Sequence, residues 1–208
     1  MKRLKPTTIA AILLAGATVA SAKPKVQLLH TPDGIEFGIW GEVKREAPAP
    51  TLIILATTVS NTLNSEYYRQ CGNQLAKRGY ICVSIDLPCH GYQRIDGEPE
   101  GLPGWSHRAA RNLDFVLEFN NRLSKVLDHL VNQRISDPEK IAACGTSRGG
   151  FLALHWAIHD SRVKCVAGFA PVTDLSVLRE FKLTSESQLV KKLNLINRAK
   201  DLAGRKVW

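Results

Sequence analysis

The sequence CGTSRGG, at residues 144–150, places Ser147 between Gly145 and Gly149 in the spacing G-x-S-x-G. An apolar run typical of a buried strand, KIAACGT, comes before it, and RGGFLALHWAIHD, typical of a helix, follows. A sharp turn from strand to helix strains the dihedral angles of its middle residue, and glycines two positions away prevent a collision. The serine oxygen is then exposed beside the free N–H groups of the helix. The pattern predicts that Ser147 is a nucleophile and that Gly145 and Gly149 are elbow glycines.

The same stretch has two other interpretations, a purely structural turn and a phosphate-binding loop. A glycine-rich turn with a capping serine stays open as an alternative, because G-x-S-x-G also occurs by chance. A phosphate-binding loop is excluded, since the chain contains neither G-x-x-x-x-G-K-[ST] nor G-x-G-x-x-G.

Strands and helices alternate on both sides of this turn. The segments KVQLLHT and IEFGIWGEV flank a Pro-Asp-Gly turn and predict an antiparallel pair. The remaining pattern predicts an α/β fold, a mostly parallel doubly wound sheet with helices on both faces. Ligands bind such sheets at the carboxyl ends of the strands, where Ser147 is expected. The predicted strands lie at 51–57, 80–88, 140–147, 163–172 and 205–208, and the predicted helices at 65–79, 106–134, 148–160 and 185–202.

The N-terminus has the organisation of a secretory signal peptide. Three cations occur in the first five residues, an apolar run extends from Ile9 to Val19, and Ala20-Ser21-Ala22 closes it. The sequence predicts cleavage after Ala22, export of residues 23–208, and a periplasmic or secreted location. A membrane anchor is the alternative, but the run is shorter than the ~20 residues that a span needs. We expect no stable membrane span.

Charge and cysteine content exclude several classes of protein. Loss of residues 1–22 lowers the net charge from +9 to +6, and the remaining basic residues are scattered. We therefore predict no nucleic-acid partner. The cysteine count of five is odd and no C-x-x-C occurs, which favours free thiols, with Cys82, Cys144 and Cys165 buried in apolar strands. No Cys/His set has the spacing of metal ligands, so we expect neither a metal nor an organic cofactor.

Four stretches together resemble the α/β-hydrolase superfamily, in its dienelactone-hydrolase and prolyl-oligopeptidase-like branch. GTSRGG resembles the nucleophile elbow of that branch, and SDPEKIAACG resembles the turn and strand that lead into it. SIDLPCHG resembles the loop after the fourth strand, with Cys89 in place of a glycine, and FAPVTDL resembles the segment after the sixth strand. They occur in the family's order and cover most of residues 26–208, as one domain.

The resemblance implies a serine hydrolase that transfers an acyl group to water through an acyl-enzyme on Ser147. Its oxyanion hole would use the backbone N–H groups of Thr58 and Arg148. Ala56-Thr57 stands where the family often has His-Gly, but backbone donors need no particular side chain. The expected partner is a small-molecule or peptide acyl substrate, with an ester, thioester or peptide bond. The oligomeric state stays open.

The family's acid usually follows the seventh strand and its histidine comes later, whereas this sequence ends as that strand begins. We therefore expect a fragment that lacks the last strands and helix, the catalytic acid and the histidine, with very weak turnover. Asp174, after the sixth strand, is a possible acid, and His90 and His107 are possible bases. Asp86 is expected to order its own loop. The alternative is a non-catalytic binding protein that retains the fold.

Overall fold

A single sheet organises the computed structural model, which describes residues 25–44 and 46–208. The described strands are β1 (Gln27–His30), β2 (Glu36–Trp40), β3 (Ala49–Leu55), β4 (Ile81–Ser84), β5 (Ser136–Thr146), β6 (Val163–Phe169) and β7 (Lys206–Val207). Their order is β1-β2-β4-β3-β5-β6-β7, with β2 antiparallel to β1 and β4 and all other neighbours parallel. The predicted mostly parallel sheet and its N-terminal antiparallel pair are confirmed. The predicted signal peptide lies outside the described residues.

The helices cover both faces of this sheet. They are α1 (Val59–Asn64), α2 (Gln70–Ala76), α3 (Leu102–Ala110), α4 (Phe115–Asn132), α5 (Arg148–His159) and α6 (Gln188–Leu193), with 3₁₀ segments at Gly91–Gln93, Arg179–Phe181 and Leu195–Leu202. Within the described ranges, no helix combines the length and the apolar character that crossing a membrane requires.

The helix predicted at 106–134 is wrong, because the chain breaks there into α3 and α4. Asn112 has a φ of 54°, which ends α3, and Asp114 then caps α4 by accepting a hydrogen bond from Leu117 N at 2.9 Å. The helical spacing of apolar residues continues across the break, so the sequence pattern did not reveal where α3 ends and α4 begins. The segment predicted as a helix at 185–202 is likewise divided, into α6 and a 3₁₀ segment, where Asn194 accepts from Ile196 N at 2.9 Å.

Alternating residues of β3 show how the sheet separates two cores. Ile53 and Leu55 pack into the larger cluster, with α3, α4 and α5, whereas Leu52 and Ile54 pack under α1 and α2. All four side chains are at most 3 % exposed. Burial of each such side chain contributes roughly 1.5–3 kcal/mol. An apolar run without polar alternation is therefore what a strand covered on both faces requires.

The sheet register places the end of β5 at the centre of the carboxyl edge. Gly145 of β5 pairs with Leu55 of β3 on one side and with Gly168 of β6 on the other. Ser147 follows directly after β5, between the ends of its two neighbours. The sequence-predicted position of Ser147 at this edge is therefore the position that the topology gives it.

The five cysteines are free thiols. Cys82 and Cys144 are buried as predicted, but Cys165 is exposed, so its predicted burial is wrong. On the face of the sheet that α1 and α2 cover, α1 contacts β2, β3 and β4, and α2 contacts β4. These two helices do not cover the part of β6 where Cys165 is exposed.

Candidate active site

Ser147 occupies a strained turn between β5 and α5. Its φ of 54° and ψ of −117° lie outside the regions that a serine ordinarily adopts, at a cost of about 1–3 kcal/mol. The surrounding chain holds it there: Ser147 N donates to Phe169 O at 2.9 Å, and Ser147 O accepts from Phe151 N at 3.1 Å and Val172 N at 3.2 Å. The side chain is exposed. This is the backbone geometry that the G-x-S-x-G spacing requires, while the role of Ser147 as nucleophile stays a prediction.

Both elbow positions require glycine, because the neighbouring backbone leaves no room for a side chain at either of them. A Cβ on Gly145 would collide with the backbone of Gly149 and would lie 2.6 Å from Gly150 N. A Cβ on Gly149 would collide with the carbonyl group of Leu55 and would lie 2.9 Å from Ala56 N. The elbow is thus packed directly, backbone against backbone, on the end of β3.

Close packing of β3 on the elbow brings the loop after β3 beside the first turn of α5. Thr58 caps α1, with its Oγ1 accepting from Asn61 N at 3.2 Å, and Arg148 is the first residue of α5. Both residues line one cleft of about 310 Å³. Among the described residues, neither Thr58 N–H nor Arg148 N–H donates a hydrogen bond. Two free N–H groups and the positive end of the α5 dipole can stabilise an oxyanion.

His90 holds the side chain of Arg148 in the same cleft. His90 Nδ1 lies 2.9 Å from Pro88 O and therefore donates to that carbonyl. A guanidinium only donates, so His90 Nε2, 3.1 Å from Arg148 Nη1, accepts from it. Burial lowers the pKa of His90, and the charge of Arg148 lowers it further. His90 is thus a neutral imidazole whose free lone pair is already engaged, which favours a positioning role over the role of a base.

Asp86 orders the loops around this cleft, as expected from its position after β4. Its carboxylate is buried and accepts from Val59 N at 2.7 Å through Oδ1 and from Tyr92 N at 2.8 Å through Oδ2. It joins the start of α1 to the loop that carries His90. Gly91, with a φ of 49°, lies so close that a side chain there would collide with this carboxylate.

Asp174 and His107, the other candidates from the sequence, have partners away from Ser147. Asp174 Oδ1 accepts from Ser176 Oγ at 2.6 Å and from Ser176 N at 2.8 Å, and the side-chain bond holds the pKa of Asp174 below its usual value. His107 Nδ1 lies 3.8 Å from Glu98 Oε1. Within residues 25–44 and 46–208, no histidine hydrogen-bonds to Ser147 or Asp174. The described chain therefore brings together Ser147, Thr58, Arg148 and His90, without a complete triad.

A second cleft on the other side of the elbow was not predicted from the sequence. It has a volume of about 220 Å³ and is lined by Tyr67, Tyr68, Cys71, Thr146 and Phe169, among others. Phe169 also accepts the hydrogen bond from Ser147 N. These aromatic residues carry no local motif, because they come from a loop before α2 and from the end of β6. The elbow thus lies between an aromatic cleft and the polar cleft of His90 and Arg148.

Known proteins share this architecture over most of the chain. The chain is 26% identical over 133 residues to the 20-hydroxy-prefusarin hydrolase of Gibberella moniliformis, covering 64% of this chain and 29% of that protein. A candidate dipeptidyl aminopeptidase IV from Bacteroides ovatus superimposes with a TM-score of 0.63 at 16% identity, over 87% of this chain and 27% of that chain. An acylaminoacyl peptidase from Pyrococcus horikoshii superimposes with a TM-score of 0.58 at 15% identity, over 88% of this chain and 31% of that chain.

The chain therefore spans less than a third of the length of each of these proteins. The two structural likenesses, at such low identity, establish the fold alone. A family model for the alpha/beta hydrolase fold matches residues 50–198, which include the elbow and both clefts. This match extends over well more than half of the chain, and the protein belongs to the α/β-hydrolase fold family.

Proposed function

We propose that this chain provides the nucleophile and the oxyanion hole of an exported serine hydrolase. The observation that carries the proposal is the exposed, strained Ser147 at the end of the central strand, beside the free N–H groups of Thr58 and Arg148. Membership in a hydrolase fold family and a curated relative named as a hydrolase support it.

The proposed reaction is acyl transfer to water. Ser147 Oγ attacks the carbonyl carbon of an ester, thioester or peptide bond, and its proton passes to a general base. The N–H groups of Thr58 and Arg148 bind the oxyanion of the tetrahedral intermediate. The leaving group departs with a proton, and water then hydrolyses the acyl-enzyme and regenerates Ser147. No metal or organic cofactor takes part in these steps.

The two clefts suggest how the substrate lies. The aromatic cleft of Tyr67, Tyr68 and Phe169 suits an apolar acyl group of a small molecule or peptide. The polar cleft, with the guanidinium of Arg148 and the carboxylates of Glu100 and Glu180 on its lining, suits a polar leaving group. The oxyanion would lie between the two clefts, at the start of α5.

A fluorophosphonate probe tests the proposal directly, because it reacts preferentially and covalently with an activated serine. Protein isolated from its natural host should be labelled, and peptide mass spectrometry should place the label on Ser147. A label on another residue would contradict the assignment, as would an unlabelled protein in a sample where a known serine hydrolase reacts.

An unlabelled protein would support the second candidate function, a non-catalytic binding protein that retains the fold. One observation favours this candidate: among the described residues, no histidine hydrogen-bonds to Ser147. Such a protein would still bind acyl ligands in the two clefts, and equilibrium binding of an unreactive substrate analogue would detect it.

Export is the second part of the proposal, and it rests on the N-terminal sequence pattern alone. The mature protein should begin at Lys23. N-terminal sequencing of the protein from a secreting host measures this start. A chain that begins at Met1 in the cytoplasmic fraction would contradict export.

Two substitutions of His90 should separate a positioning role from the role of a base. His90→Gln provides an acceptor for the Arg148 guanidinium, and His90→Ala does not. We expect ester hydrolysis within about tenfold of the native rate for His90→Gln and a larger loss for His90→Ala, because the partly buried guanidinium of Arg148 then loses a hydrogen bond, and hydrogen bonds to charged groups contribute about 1.5–3 kcal/mol. Equal losses of about 10³-fold or more in both variants would instead identify His90 as a base.

A further inference from the structure

A cleft of about 530 Å³ lies at the carboxyl edge of the sheet, beside the ends of β2 and β4. The turn between β1 and β2, the 3₁₀ segment Gly91–Gln93 and Arg122 of α4 line it. Strand β2 runs antiparallel to β4, with Gly38 opposite Ser84, so β2 begins where β4 ends. Ligands bind open α/β sheets at this edge. Among the described residues, the cleft has no lining residue in common with the polar or the aromatic cleft.

Arg122 presents an unpaired guanidinium to this cleft. Its side chain is half-buried, and among the described residues the guanidinium has neither a hydrogen-bond partner nor an ion-pair partner. Its nitrogen atoms are not among the unpartnered polar atoms that the fold closes off, so a ligand in the cleft can reach them. Burial lowers the pKa of Arg122, and the negative charges of Glu118 and Asp86 oppose this shift. A guanidinium stays charged in a protein, so acceptor oxygens of a ligand would offset the cost of its partial desolvation.

The carboxylates near Arg122 select the kind of acceptor. Those that act on its charge or line the cleft have other partners: Glu118 has Arg108 at 3.7 Å, Asp86 has two backbone N–H groups, Asp33 has Lys125 at 3.0 Å, and Glu36 has His30 at 3.7 Å. Because Asp33 and Glu36 bring negative charge to the cleft, a ligand with one negative charge is favoured over a ligand with two. A carboxylate carries one charge, and its two oxygens match two parallel donors of a guanidinium.

Tyr92 provides an aromatic surface in the same cleft. Its side chain is 80 % exposed, but its backbone N–H donates to the buried carboxylate of Asp86 at 2.8 Å. The preceding residue, Gly91, packs so closely on that carboxylate that the loop has little room to move. The ring is therefore held at the cleft before a ligand binds, and it can stack on an aromatic group.

We propose that this cleft binds a small aromatic monocarboxylate, with the carboxylate paired to the guanidinium of Arg122 and the aromatic ring packed on Tyr92. The bound acid joins α4 to the loop that follows β4. The proposal rests on the cleft and does not depend on the hydrolase function, since neither Ser147 nor the proposed oxyanion hole contributes a contact.

Four probes test the proposal by isothermal titration calorimetry on the whole protein. 3-Phenylpropionate carries both groups, and 3-phenylpropionamide has the same size without the charge. We expect the acid to bind at least about tenfold more tightly than the amide, because hydrogen bonds between charged groups are the stronger ones. Propionate, which lacks the ring, and 2-phenylethyl phosphate, which carries more negative charge, should both bind more weakly than 3-phenylpropionate. Equal affinities for acid and amide, or no heat with the acid at millimolar concentration, would contradict the proposal.

Variants of the two contact residues locate the binding. Arg122→Gln should raise the Kd of the acid by at least about tenfold and leave the Kd of the amide unchanged. Its melting temperature should not fall, because the guanidinium has no partner to lose in the described part of the chain. Arg122→Lys keeps the charge without the paired donors and should lie between the two. Tyr92→Ala should weaken the acid and the amide alike.

Two controls separate this cleft from the rest of the surface. Arg78→Gln removes an exposed arginine that follows α2, on the other face of the sheet, and should bind as the native protein does. Tyr67→Ala alters the aromatic cleft beside the elbow and should also leave the Kd of the acid unchanged. Lost binding in Tyr67→Ala would place the acid in the aromatic cleft instead. Either that result or native affinity for the acid in Arg122→Gln would overturn the proposed site.

Discussion

Ser147→Ala should lower kcat/KM for a p-nitrophenyl ester by at least about 10³-fold in protein isolated from its natural host. The substitution removes the hydroxyl group on which the proposed acyl-enzyme forms, while the N–H groups of Thr58 and Arg148 remain. Stability should change little, because the side chain is exposed and, within the described ranges, Ser147 Oγ makes no hydrogen bond. Initial rates and the melting temperature measure the two effects separately.

Ser185→Ala is the control, since Ser185 is a partly exposed serine that lies in the loop before α6. It should retain the native rate and the phosphonate label. Native activity in Ser147→Ala would assign the nucleophile to another residue. An unreactive native protein would instead support the non-catalytic binding protein, and Ser147→Ala would then leave ligand binding in place.

The sequence was sufficient for features that depend on local spacing. The apolar run of residues 51–57 predicted a strand covered on both faces, and β3 is such a strand. The spacing of Gly145, Ser147 and Gly149 predicted a strained elbow, because each position of that turn has its own steric requirement. Alternation of strands and helices then predicted the parallel sheet and the edge where the elbow lies.

Contacts between distant segments were not predictable in the same way. The hydrogen bond between His90 and Arg148 joins residues that are 58 positions apart, and no spacing encodes it. The aromatic cleft likewise depends on how the loop before α2 approaches the end of β6. Cys165 looked like a core residue because its run is apolar, but burial depends on which helix covers the strand. These features follow from the packed fold rather than from any one segment.

Gly149→Ala should destabilise the protein by about 3 kcal/mol, at the upper end of the cost of overpacking a core. Glycine to alanine in an open helix has the opposite sign and stabilises by up to about 1 kcal/mol. At Gly149 the added Cβ would collide with the carbonyl group of Leu55, and both groups belong to the backbone. No side-chain rotation can relieve that collision, so α5 must move away from β3.

The expected fall in melting temperature is roughly 6–12 °C, since each kcal/mol corresponds to about 2–4 °C in a domain of this size. Activity should fall with it, because movement of α5 displaces Arg148 N–H from Thr58 N–H. Gly34→Ala is the matched control: its Cβ has open space, but its φ of 83° costs about 1–2 kcal/mol and leaves the elbow untouched. Thermal unfolding by circular dichroism compares the two variants. A melting temperature for Gly149→Ala at or above the native value would show that β3 and the elbow do not pack this closely, and the geometry on which the proposed oxyanion hole depends would be wrong.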